Sequence, residues 1–391
     1  MHYLDNAATT PLREEVLEAM LPYFQGTFGN PASVYAAGRQ AKKGLEEARE
    51  KVAAAIGSEP SEIIFTGGGT EADNLAIKGA AEKLHAGGAQ NNHIIASSIE
   101  HHAVLHSAEW LERRGHRITF LPVDRSALVD LEALESSCSD ETILVSVMAA
   151  NNEVGTIQPV TEVARIVRER SRALVHTDAV QGLGKISLNV GELDVDLASF
   201  SAHKIGGPKG VGALYVRSRT PLAAFVHGGG QERDLRSGTS NVAGIVGFGE
   251  AARLAALEAD SEAQRLTKLR DRLEAGLQAS IEGIRVNGGD GPRLPGTSNV
   301  SIEGVEGESL LLMLDAKQIA ASSGSACTSG SLDPSHVLLA MGLSPESAHG
   351  SLRFSLGRTS SDEDIDAVLS ALPSIVERLR SIAPLSETVA R

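Results

Sequence analysis

The stretch VDLASFSAHKIGGPKGVGALYV, running from Val195 to Val216, decides how the rest of the chain is read. Asp196 to Phe200 is apolar enough for a buried strand, and Val211 to Val216 is a second short apolar run. Between them Ser201-Ala202-His203-Lys204 leads into a turn containing Gly206, Gly207, Pro208 and Gly210. A lysine at the end of a buried strand, beside a histidine and a glycine-rich turn, is an unusual place for a solvated charge. Removing its amine from water lowers its pKa from about 10.4 and favours the neutral form that makes a Schiff base. Taken alone, Lys204 also reads as a surface lysine that follows a strand. The neighbouring segments have to decide.

On the N-terminal side, Ile63 to Thr66 reads as a strand that runs directly into Gly67-Gly68-Gly69-Thr70-Glu71, with a helix to about His85. Glycines let backbone N–H groups converge, and a helix N-terminus is electropositive, so this junction suits an anion. Its spacing matches neither the dinucleotide fingerprint nor a P-loop. An ordinary strand-to-helix turn is the alternative. Strands at His93 to Ser97, Arg117 to Pro122, Thr142 to Met148 and Leu174 to His176 alternate with helices at His102 to Arg114 and Pro159 to about Arg170. That alternation predicts an α/β fold with a mostly parallel sheet between helices. Ligands of such sheets sit at the carboxyl ends of strands. Thr70, His101, Asn152, Asp178 and Lys204 all fall at or just beyond predicted strand ends, which points to one crevice.

Further elements complete the expectation. Thr10-Pro11 is expected to open a helix, and a second helix spans roughly Gly38 to Ile56 and stops at Gly57. After Val216 the polar, glycine-rich runs His227 to Arg233 and Arg236 to Thr239 precede a long Ala/Leu-rich helical region from about Val242 to Ile281. The remainder reads as a smaller α+β domain. Its strands are Asn299 to Ile302 and Ser351 to Leu356, with a helix from Pro334 to Met341 capped by Asp333 and a final helix starting at Ser361. The expected division is 16–260 for the large domain, with 1–15 and 261–391 forming the small one.

Bulk properties narrow the function classes. A formal net charge of −14 over 391 residues argues against direct contact with nucleic acid or an anionic membrane surface. There is no apolar run of about 18 residues to cross a bilayer, and Asp5 and Asn6 fall where the apolar core of a secretory signal would lie. Two distant cysteines, Cys138 and Cys327, suggest a reducing cytoplasm without a disulfide framework.

Several residues carry chemistry. Asp178 closes a buried strand, so its carboxylate needs a partner; it reads either as a loop or cap aspartate or as the counterion of a protonated ring nitrogen. Together with the Lys204 amine and the phosphate cradle near Thr70, it meets the demands of pyridoxal phosphate. Cys327 lies in Ser322-Ser323-Gly324-Ser325-Ala326-Cys327-Thr328-Ser329-Gly330-Ser331, a run of small residues expected to be exposed and mobile, about 322–333, which favours a reactive thiol. Cys138 reads as incidental. Glu100-His101-His102 and His106 lack acidic or cysteine companions at zinc spacing, so no metal site is expected. His102 and His106 lie one turn apart and can face solvent, whereas His101 is placed to stack on a cofactor ring. Arg353 can pair with a substrate carboxylate or form a surface salt bridge.

Taken in order, these motifs resemble the cysteine desulfurases, fold-type I pyridoxal-phosphate enzymes of the class-V aminotransferase type. The resemblance rests on Tyr3-Leu4-Asp5-Asn6-Ala7-Ala8-Thr9-Thr10, Gly69-Thr70-Glu71-Ala72-Asp73-Asn74, Glu100-His101, Asn151-Asn152-Glu153-Val154-Gly155 and Asp178-Ala179-Val180-Gln181. It extends through Ser201-Ala202-His203-Lys204, His227-Gly228-Gly229-Gly230, Arg236-Ser237-Gly238-Thr239, Ser323-Gly324-Ser325-Ala326-Cys327 and Arg353-Phe354-Ser355. The Ser-Ser-Gly-Ser-Ala-Cys loop resembles the subgroup that serves general iron–sulfur assembly and tRNA thiolation.

The resemblance implies a homodimer in which Lys204 is the Schiff-base lysine, Asp178 pairs with the pyridine nitrogen and His101 stacks on the ring. Asn152 and Gln181 would lie on the ring's phenolic side. Gly69, Thr70, Ser201 and His203 would hold the phosphate, joined by Thr239 from the other subunit. Arg353 and Asn152 would bind the carboxylate of L-cysteine. Cys327 would carry the persulfide, with His101 a candidate for helping to deprotonate it, and would also be a candidate transient ligand of a cluster. An iron–sulfur scaffold or another sulfur-acceptor protein would be the partner. Tyr35 stands where many relatives have a histidine, and Ala149-Ala150 where some have one. Rival expectations are a selenocysteine lyase, another fold-type I enzyme, or a non-catalytic sulfur-assembly scaffold.

Overall fold

The structure, a computed structural model, describes residues 1–85, 92–323 and 333–382. Among these, seven strands form the central sheet in the order Ile63–Thr66, Gly212–Val216, Leu197–Ser201, Leu174–Asp178, Thr142–Ser146, His93–Ser97 and Arg117–Leu121. Most are buried on both faces, as IIFT, HIIAS, TILVS and LASFS require, because none of these runs offers a polar face to water. Alternation then divides the side chains between two layers. Ile63 and Phe65 join one core with Leu45, Val52 and Phe248, while Ile64 joins the other with Leu75, Ile77 and Val104.

The first layer is built mainly from Ala36–Ile56 and the first half of the long helix Val242–Ser280. The earlier of these ends at Gly57, in the left-handed region at φ 69°, where the sequence places its stop. The second layer holds Gly69–His85 and His102–Glu112. A separate core surrounds a three-stranded antiparallel sheet in the order Ser351–Ser355, Thr297–Ile302 and Ile284–Asn287. Gly307–Asp315, Asp362–Ile382 and the second half of the long helix pack on it. The long helix thus serves two interiors, with Ala255 in the first and Leu266 in the other.

Two helix starts differ from expectation. Thr10 opens no helix; the first begins at Glu14, with Arg13 in the capping position. The Thr10 hydroxyl is already committed, donating to His203 O at 2.9 Å and accepting from Gly206 N at 2.8 Å. The helix expected over Pro334 to Met341 runs His336–Ala340, and its cap is Ser335, whose Oγ accepts from Leu338 N, rather than Asp333. The N-terminal arm adds a two-residue strand, His2–Tyr3, paired in parallel with Ile319–Ala320. Among the described residues no helix is long and apolar enough to cross a membrane.

Phe248 is fully buried and meets Phe65 edge-on, with ring centroids 6.4 Å apart. Phe248→Ala is expected to lower the unfolding free energy by about 3–5 kcal/mol, read from denaturant curves. A loss below roughly 1 kcal/mol would show that this layer collapses around the void.

Candidate active site

Gly212–Val216 runs antiparallel to both of its neighbours, and the other strands pair in parallel, so six of the seven central strands share one direction. Their carboxyl ends therefore lie along one edge of the sheet. From that edge project Thr70 beyond Ile63–Thr66, His101 beyond His93–Ser97, Asn152 beyond Thr142–Ser146, Asp178 itself, and Ser201 to Lys204. A cavity of about 260 Å³ brings together Gly69, Thr70, His101, Asn152, Asp178, Gln181, Ser201, His203, Lys204 and Arg353. Ala7 and Ala8 of the N-terminal arm cover one side of it. Within this chain Thr239 lines a different cavity, with Thr66, Gly67 and Arg236. Cys327 and residues 324–332 of the expected loop lie outside the described residues.

Burial governs the charges here. Asp178 is 5 % exposed and accepts from Val180 N at 2.9 Å; desolvation pushes its carboxyl up to about 6, opposed by that N–H and by Lys204. A cationic partner would draw it back towards the ionised form. Asp73, which local sequence pattern does not single out, lies on the same cavity and is pushed well above the carboxylate range by burial and then by Asp178. Its Oδ1 has no hydrogen-bond partner among the described residues and lies 3.7 Å from His176 Nε2. His176 is itself neutral, held down to about 3 by burial.

His101 caps His102–Glu112 by accepting from Ala103 N at its Nδ1, at 3.1 Å. That bond assigns the ring proton to Nε2. Desolvation, followed by Lys204 and His102, pushes its pKa down to about 4. The other ring nitrogen of His101 is therefore a donor at neutral pH, which suits a hydrogen bond to an acceptor better than removal of a thiol proton. His102 is not simply turned to solvent. Its ring lies 4.9 Å from that of His106 and 4.7 Å from that of His336.

Lys204 Nζ donates to Ala7 O at 2.6 Å and Ala8 O at 2.8 Å, so its amine rests against the arm. Arg353 is no surface ion pair. It is 2 % exposed, and its Nη1 donates to Asn152 O at 2.9 Å while Nη2 donates to Asp5 Oδ1 at 2.8 Å. Its Nε lacks a partner among the described residues. Cys138 is buried, with Sγ 3.4 Å from Ser171 Oγ, as an incidental core thiol.

These residues fit pyridoxal phosphate. A Cβ at position 69 would lie 2.7 Å from Val180 Cγ2, so only glycine leaves this helix start as bare backbone facing the cavity. The raised Asp178 carboxyl suits a cationic ring nitrogen, and Lys204 supplies the amine.

The Aminotransferase class-V family matches residues 2–368. The chain belongs to that family. Among class-V aminotransferases it is similar to "Cysteine desulfurase IscS" of Methanosarcina thermophila, at 52% identity over 98% of this chain and 94% of that protein. A solved "NifS-like protein" superimposes with a TM-score of 0.89 at 42% identity, covering 96% of this chain and 99% of the other. "SspA in complex with cysteine" gives a TM-score of 0.80 at 37% identity, covering 91% and 99%. The chain is thus a member of the cysteine desulfurase group, with pyridoxal phosphate as its cofactor.

Glu100 was visible only as the residue before His101, yet it is fully buried and accepts from Ser97 Oγ at 2.6 Å and Met148 N at 2.7 Å. Burial pushes its carboxyl up to about 8. A folded pKa above the ordinary 4.5 stabilises the native state fully at low pH, and that contribution is lost as pH rises through about 8. Glu100→Gln, which cannot ionise, is expected to gain on the parent protein as pH rises from about 5 to about 8.5 in parallel unfolding curves. A constant gap would mean that Glu100 carries no proton.

Proposed function

We propose that this enzyme takes sulfur from L-cysteine, releases L-alanine and holds the sulfur as a persulfide on Cys327 for delivery to an acceptor protein. The observation that carries the proposal is the convergence of Lys204, Asp178, His101 and Arg353 on one cavity at the strand ends. The SspA relative, solved in complex with cysteine, agrees with that substrate.

Pyridoxal phosphate, when bound, supplies an electron sink that acidifies the substrate Cα–H and weakens its Cβ–S bond. Lys204 would tether the cofactor, and its free amine would take the substrate Cα proton. Asp178 would hold the ring nitrogen as a cation, His101 would cover the ring, and Asn152 and Gln181 would lie on its phenolic side. Gly69, Thr70, Ser201 and His203 hold the phosphate, with Thr239 of the partner subunit. Arg353, anchored on Asn152 O and Asp5, aligns the substrate carboxylate with Asn152. The Cys327 thiolate then attacks the substrate sulfur. A new S–S bond forms as the Cβ–S bond breaks and the electron pair passes to the substrate Cβ, which takes a proton; Lys204 gives the proton it held back to Cα, and alanine leaves. The Cys327 proton has to leave to the substrate or to solvent, given the tautomer of His101.

The proposal includes a cytoplasmic homodimer acting on an iron–sulfur scaffold or another sulfur acceptor, with Cys327 as a candidate cluster ligand. Exposed Leu17, Leu21, Phe24, Phe28, Val34 and Tyr35 near the N-terminus support a second copy. It also includes a large domain over 16–260 and a small one over 1–15 and 261–391. The change of core along the long helix between Ala255 and Leu266 supports that boundary.

Lys204→Ala is expected to abolish both the visible absorbance of the bound cofactor and turnover. Cys327→Ala keeps the absorbance but produces no sulfide from cysteine or selenide from selenocysteine; normal turnover in that variant would refute the persulfide. Arg353→Lys, which loses the fork, raises the KM for cysteine roughly ten- to hundred-fold, measured by alanine formation at saturating cofactor.

A further inference from the structure

Lys185 follows Gln181 by one turn of irregular chain and takes no part in the chemistry above. It is half-buried, with its amine turned inward to donate to Gln181 Oε1 at 2.5 Å. Gln181 is 4 % exposed, and its Nε2 donates to Ala7 O at 3.0 Å. The same carbonyl receives Lys204 Nζ at 2.6 Å. Four residues thus form one chain of hydrogen bonds, from Lys185 through Gln181 and Ala7 to Lys204.

We propose that Lys185 is a positioning residue that fixes which end of the Gln181 amide faces the cofactor cavity. The two ends of an amide are nearly identical in shape, so partners decide the orientation. An ammonium group only donates and a carbonyl oxygen only accepts. With Lys185 on one side and Ala7 O on the other, the amide oxygen must face Lys185 and the NH2 must face Ala7. A flip would set donor against donor and oxygen against oxygen. The second N–H of that NH2 is then left for the cavity that Gln181 lines. Lys185 thereby makes Gln181 a donor towards the cofactor's ring oxygen, which holds only if that group occupies this cavity as proposed above.

The groups facing Lys185 oppose its charge and so set the pH range over which it is an obligate donor. Lys204 and Arg353 repel its charge, and His203 lies within its field. A neighbouring cavity lined by Lys185 is bordered by the Arg13–Glu258 pair, Glu262 and Arg358. Burial first, then Lys204 and Arg353, bring the Lys185 amine down to about 7. Above that pH the neutral amine both donates and accepts, and its hold on the amide weakens.

The test compares Lys185→Met, which removes the donor, with Lys185→Arg, which remains an obligate donor at every pH. Full-length protein carrying 15N-labelled glutamine is measured with and without pyridoxal phosphate, together with cofactor affinity by equilibrium dialysis. The Gln181 side-chain signal is expected to shift in Lys185→Met, and cofactor affinity to fall about tenfold, the scale of one charge-assisted hydrogen bond. Lys185→Arg restores both, and its Gln181 signal no longer changes between about pH 6 and about pH 8, unlike that of the parent protein. Adding Lys185→Met to Gln181→Leu causes no further loss of affinity. An unmoved Gln181 signal in Lys185→Met, or an equal loss in the Gln181→Leu background, overturns the proposal. Should Lys185→Met not fold, an identical pH response in Lys185→Arg and the parent overturns it. A cavity that binds no cofactor in the parent protein would sink the proposed function, while the signal in cofactor-free protein still reports on Lys185.

Discussion

Withdrawal of charge from water at one edge of a sheet is the constraint on which this site depends. Asp73, Glu100, Asp178, Lys185 and Arg353 are ionisable, yet the fold sets their charged ends among buried neighbours. The answers differ. The Arg353 guanidinium is met by Asp5 and Asn152 O, whereas burial shifts the carboxyls of Glu100 and Asp73 towards their neutral forms. Asp178 stands between these cases, near the point where a cationic ligand decides its state.

The N-terminal arm converts that edge into an enclosure. Leu4 is buried in the smaller core, Asn6 Nδ2 donates to Ser355 O at 2.9 Å, and Thr10 is bonded to the loop that carries Lys204. Between these anchors Ala7 and Ala8 present carbonyls to Lys204. A few residues of irregular chain, joined to both cores, therefore supply one wall of the cavity.

Much of the larger core was legible in the sequence because its strands are short β-branched runs bounded by polar turns. Ile63–Thr66 and His93–Ser97 fall where they were expected. The strand-end rule alone brings Thr70, His101, Asn152, Asp178 and Lys204 to one crevice, and the cavity holds all five. The failures share a cause. Thr10 and Asp333 are good caps by residue type, but the Thr10 hydroxyl is taken by a loop nearly 200 positions away, and Ser335 lies nearer the start of its helix. Asp73 and Glu100 give no local sign of burial, since Asp178 beside the first and Met148 beside the second come from distant segments. The pairing of His2–Tyr3 with Ile319–Ala320 is too short to leave a periodic trace.

The helix Val242–Ser280 has 39 residues, which at about 1.5 Å per residue makes a rod roughly 58 Å long. Its two halves are packed in separate interiors, with the change of core between Ala255 and Leu266. A tilt of about one degree about Ala255 would move the Ser280 end, roughly 37 Å away, by about 0.6 Å, which is comparable to the tolerance of a catalytic constellation. One continuous rod is thus shared by the interior that holds Ile205, next to Lys204, and the interior that holds Phe354, next to Arg353.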